Sequence, residues 1–80
     1  MAFAMNWISV KKSLPDSKTD VLFVEWIDGK PFLCFGRKRD DDPSSLVWLD
    51  DLNLDYDGAP SYTFNVSHWM PTPDLPQSPE

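Results

Sequence analysis

Thirteen Asp and Glu against seven Lys and Arg give this 80-residue chain a net charge of -6 at neutral pH, which opposes direct contact with nucleic-acid phosphates or anionic lipid. A chain this short makes one domain and buries only about 60% of the surface its unfolded form exposes, so its core must be dense, and four Trp, five Phe and two Tyr supply it. The lone cysteine, Cys34, excludes an intramolecular disulfide and fits a reducing compartment, and with neither a leader-like opening nor a long apolar run a soluble cytoplasmic protein without membrane contact is expected.

Asn6 to Val10 predicts a first short strand carrying Trp7, Ile8 and Val10. The stretch from Lys11 to Thr19 breaks it, because Pro15 disfavours the α region for Leu14 and Asp16-Ser17 is turn chemistry. Leu14 is expected to tuck inward and anchor this loop. Asp20 to Lys38 is the strongest local pattern, a hairpin about Asp28-Gly29, the pair a two-residue type I′ turn prefers, with apolar strand formers on both sides. Its register pairs Ile27 with Lys30, Phe23 with Cys34 and Asp20 with Arg37, and puts Pro31 at a non-hydrogen-bonded site where its missing N–H costs no ladder bond. Leu22, Val24, Trp26, Leu33 and Phe35 then line one side, and Val21, Phe23, Ile27, Phe32 and Cys34 the other. Two apolar faces require a curled sheet, a cover from other segments, or burial in an oligomer.

Arg37 to Pro43 reverses charge within a few residues and ends that strand; Leu46 to Leu49 predicts another, and Asp50 to Pro60 reads as an acidic loop. Tyr62 to Met70 alternates as one closing strand, with Tyr62, Phe64, Val66, His68 and Met70 on an inward face, and Pro71 and Pro73 stop it. The fold expected is mainly β, a small α+β arrangement being the alternative: one antiparallel sheet of four to five strands over residues 1–73, curled or barrel-like, with an extended or disordered tail over 74–80.

Four constellations could carry chemistry. His68 with Cys34 would make a nucleophilic pair only if the thiolate were accessible and a third group oriented the imidazole; a structural histidine and a buried thiol are the plainer reading. Asp51, Asn53, Asp55, Asp57 and Gly58 resemble the opening of a calcium loop, but Phe64 stands where the bidentate glutamate belongs. At most a weak divalent-cation site follows, and no metal or cofactor is assigned. Arg37-Lys38-Arg39 is neutralised by the three aspartates after it, which makes a poor nucleic-acid site. Seven aspartates, Asp40, Asp41, Asp42, Asp50, Asp51, Asp55 and Asp57, lie in one stretch with no basic residue among them. They are either solvated loops or a face for a basic protein groove that otherwise accepts nucleic acid. With no phosphate loop and no paired acid and base, a non-enzymatic protein is expected.

The segments WISVKKSLP (Trp7 to Pro15), VLF (Val21 to Phe23), Gly36 and VSHWMPTP (Val66 to Pro73) resemble a family of small phage and prophage proteins known as domain of unknown function number five hundred fifty-one. The residues carrying the likeness are Trp7, Leu14, Pro15, His68, Trp69, Met70, Pro71 and Pro73, a fold signature in which Trp69 and Met70 are expected to seal the domain near Trp7 and Leu14. The resemblance implies a phage-derived accessory protein in the bacterial host cytoplasm and transfers no catalytic residue. The acidic stretch from Asp40 to Asp57 departs from the shared pattern. Together these readings imply a partner among host proteins, such as a nucleic-acid-handling or defence complex inhibited by an acidic surface. The alternative is a homo-oligomeric component that buries the two-sided hairpin.

Overall fold

A computed structural model describes residues 6–73; the expected tail over 74–80 lies outside them. The chain forms β1 (Ile8–Ser9), β2 (Val21–Ile27), β3 (Lys30–Lys38), β4 (Trp48–Leu54), β5 (Pro60–Thr63) and β6 (Val66–Pro71). All pair antiparallel in one sheet of order β1-β6-β2-β3-β4-β5. The β2–β3 hairpin adopts the expected register, with Ile27 opposite Lys30, Trp26 opposite Pro31 and Phe23 opposite Cys34. Asp28 and Gly29 both take positive φ, 52° and 76°, as the type I′ turn requires. Asp20 meets Arg37 at 3.8 Å just past the paired residues.

The sheet curls, and the chain itself forces it to. Four strand-to-strand steps separate β5 from β6 across the sheet, about 19 Å if flat, yet Thr63 and Val66 are joined by a link that spans at most about 10 Å. Curling turns one face into an interior. Phe23 is fully buried there and Trp48 nearly so, their rings tilted at 41° with centroids 4.9 Å apart, and Val21 and Cys34 complete the core. Val10, Leu14, Val66 and Trp69 close over it. The strands come unusually close at Gly36, where an added Cβ would lie 1.9 Å from the Leu49 carbonyl oxygen; no larger residue fits that approach.

The other face stays outside. Leu22, Val24, Phe35, Leu49 and Met70 are half-buried on it, and Trp26 and Leu33 are 40% and 55% exposed. Curling thus accounts for one of the hairpin's two apolar faces, and no second layer of described residues covers the other.

Three expectations need correction. The single sheet has six strands, not four to five, and is not closed. Asp50 to Leu54 belongs to β4 rather than to a loop, because Asp50 occupies an inward strand position where a sequence pattern looks for an apolar residue. The supposed closing strand is two strands broken at Phe64-Asn65, followed by a register shift opposite Val24 and Glu25. After that shift Trp69 pairs with Phe23 and His68 with Val24. Trp69 therefore faces the core, and His68, expected inward, is exposed.

Candidate functional site

The seven aspartates do not form one patch. Asp40, Asp41 and Asp42 lie exposed in the β3–β4 loop, while Asp55 and Asp57 lie exposed in the β4–β5 turn. The seven residues of β4 separate the two groups, roughly 20 Å of strand. Asp51 faces outward from β4 and meets Arg37 at 3.9 Å. Asp50 is 1% exposed and belongs to the interior.

Backbone chemistry explains why the loops are rich in aspartate. Asp40 Oδ1 accepts the Asp42 N–H at 3.0 Å, and Asp42 Oδ1 accepts the Ser44 N–H at 2.9 Å and its hydroxyl at 2.8 Å. Asp55 Oδ1 accepts the N–H groups of Asp57 and Ala59, both at 2.9 Å. These are side-chain turns that close irregular backbone locally. Asp41 reaches farther: its Oδ1 accepts the Ser17 N–H at 2.9 Å and ties the two loops flanking the core together. Bonds from Ser17 and from Ser44 hold the carboxyls of Asp41 and Asp42 below the usual aspartate range, so both carry full charge at neutral pH. Lys38, 1% exposed, turns its ammonium inward to donate to the Asp40 and Asp42 carbonyls at 2.9 and 2.6 Å. One of the few cations is thereby withdrawn from the surface.

The interior carries its own polar group. Asp50 Oδ1 accepts the Leu52 N–H at 2.9 Å and the Phe35 N–H at 3.4 Å, and Oδ2 accepts the Asn53 amide at 2.7 Å. Burial alone would raise its pKa, but the bonds from Asn53, Leu52, Cys34 and Phe35 outweigh burial and hold the carboxyl below its ordinary value. Glu25 moves the opposite way, raised first by burial and then by the Asp50 charge. The Cys34 thiol, fully buried beside Asp50, is pushed up to about 12 by burial and then by that carboxylate.

Cys34 lines the inner face and His68 the outer one, so the nucleophilic pair considered from sequence is not brought together. His68 Nδ1 lies 2.8 Å from Ser67 Oγ, which also accepts the Trp26 indole N–H at 2.7 Å. Trp69 Nε1 donates to the Ser13 carbonyl at 3.0 Å, fixing the loop whose Leu14 and buried Pro15 roof the core. Met70 pairs with Leu22 on the outer face instead. Trp7 lines an outer cavity of about 280 Å³ with Val24, Trp26, Pro31 and His68. Pro71 ends β6 opposite Val21, and Pro73 follows it, exposed. Among the described residues no three His, Cys, Asp or Glu side chains are grouped to hold a metal ion. Of the residues in the calcium-loop reading, Asp51 approaches Arg37, Asn53 donates to Asp50, and Asp55 closes its own turn.

Sequence reasoning missed Asp50, Glu25 and Thr63 as an inner polar group. The only available signal was an aspartate directly after the apolar run Leu46 to Leu49.

Fold and site together define a small all-β domain with a curled sheet, a mixed polar and apolar interior and pinned acidic loops. Residues 6–80 match the family model described as Protein of unknown function (DUF551), and the chain belongs to that family. No curated protein and no solved structure matches it. No helix among the described residues is long and apolar enough to cross a membrane.

Proposed function

We propose that this protein is a non-enzymatic, phage-derived accessory module that binds a basic host protein in the bacterial cytoplasm, with counter-defence inhibition as its use. One observation carries the reading. The exposed carboxylates of Asp40, Asp41, Asp42 and Asp55 are each pinned by a hydrogen bond to a fixed backbone position and still face solvent. Charges already held in place lose little conformational freedom on meeting a basic groove, and a net charge of -6 steers such an encounter. Capture from a bacterial lysate tests it, using the wild type beside a variant with Asn at Asp40, Asp41, Asp42, Asp51, Asp55 and Asp57. Asparagine keeps one side-chain oxygen to close the turns at Asp40, Asp41, Asp42 and Asp55 while removing the negative charge. A host protein held by the wild type and lost by the variant supports the proposal; equal retention by both refutes it.

The uncovered outer face favours a second reading, a homo-oligomer joined through Trp26, Leu33 and Met70. Light scattering separates the two, since a clean monomer at high micromolar concentration removes the oligomer.

A further inference from the structure

The open end of the curled sheet, beside the β2–β3 turn, holds a cavity of about 400 Å³. Its polar wall is made by Glu25, Asp50, Asn53 and Thr63, and its apolar wall includes Ile27 and Phe32. Thr63 is 2% exposed, and its Oγ1 is the one buried side-chain oxygen among the described residues without a hydrogen-bond partner. Buried hydroxyls are almost always paired, so an orphan hydroxyl on a residue that lines a cavity points to a partner reached by a rotation of that side chain. The charge points the same way. The described lysine and arginine ion pairs join Arg37 to Asp20 and Asp51, and Lys38 to Asp40, which leaves Asp50 buried without a counter-ion beside a second carboxyl.

We propose that this cavity binds a primary ammonium on an aliphatic stem, the chemistry of a lysine side chain. The ammonium lies between the Glu25 carboxylate and the Thr63 hydroxyl, within the field of Asp50, and the stem lies along Ile27 and Phe32. A guanidinium fits less well, because the Asp50 oxygens are already taken by Leu52, Phe35 and Asn53 and offer no two-pronged acceptor. A metal ion is also a poor fit, since those same oxygens would have to abandon their donors. Ion pairs at barrel mouths and domain clefts fix ligand orientation while apolar walls bury the stem. The site shares no exposed loop carboxylate with the acidic-loop reading, so either can fail alone.

Nα-acetyl-lysine methylamide is the probe, titrated into the full-length protein and followed by the amide resonances of Ile27, Asn53 and Thr63. The norleucine analogue, which lacks the ammonium, runs in parallel. Saturable shifts with the lysine probe, absent with norleucine, are expected. Glu25→Gln should weaken binding about fivefold, the worth of one partly screened ion pair. Thr63→Val, which keeps side-chain shape and removes the orphan oxygen, should weaken it while leaving the folded spectrum intact. Equal shifts with both probes, no saturable shift, or unaltered affinity in a folded Glu25→Gln protein each overturn the assignment.

Discussion

Replacing Asp50 tests whether this buried carboxylate supports the fold. In Asp50→Ala the Leu52 N–H and the Asn53 amide lose their acceptor, as does the more distant Phe35 N–H. Hydrogen bonds to a charged group contribute roughly 1.5–3 kcal/mol each, and release of a buried charge offsets part of two good ones. A net loss of about 2–4 kcal/mol is expected, against a total of roughly 4–12 kcal/mol for a domain of this size. Asp50→Asn keeps an oxygen for the backbone donors and should lose only about 1 kcal/mol. Urea unfolding at neutral pH measures both, with the midpoint falling and the slope unchanged. The pH dependence follows from the depressed carboxyl: its stabilisation is complete above the unfolded aspartate pKa and disappears as pH falls through the lower folded value. An Asp50→Ala protein within about 0.5 kcal/mol of wild type would refute the placement of Asp50 as an interior acceptor.

Gly36→Ala should cost about 2–3 kcal/mol or more, because the new methyl meets the Leu49 carbonyl rather than a flexible side chain; urea unfolding reads it. Cys34, with a pKa near 12 and no exposure, should resist a thiol reagent at neutral pH and react at the rate of unfolding. Glu25→Gln should raise stability at neutral pH. The raised Glu25 carboxyl binds its proton more tightly in the folded state, so its charge opposes folding at neutral pH and that penalty fades as pH falls through the folded pKa. Comparing melting temperatures of the two proteins at neutral and mildly acidic pH checks the sign.

The hairpin was legible in full because Asp28-Gly29 dictates the turn and the turn dictates the register. The strands after it were harder to see. Asp50 inside β4 looked like loop acid, since its acceptors are backbone donors that no spacing pattern reveals. The alternation of Tyr62 to Met70 runs straight through the break at Phe64-Asn65. What divides the two strands is the curl of the whole sheet, a long-range constraint. The assigned faces are already reversed in β5, where Thr63 is buried and Tyr62 exposed; the break puts Val66 inward, and the register shift after it turns His68 outward and Trp69 inward. Among the site residues, the exposure of Asp40 to Asp42 was readable from composition, whereas the bond from Ser17 to Asp41 joins loops 24 residues apart and emerges only on folding.

The central claim is that pinned loop carboxylates bind a basic partner through charge, and its most direct measurement is the affinity of the captured host protein across a salt series. Wild-type affinity should fall steeply as salt rises, while the variant with Asn at Asp40, Asp41, Asp42, Asp51, Asp55 and Asp57 should bind weakly with a shallow dependence. Affinity that is indifferent to salt and equal in the two proteins would contradict the claim.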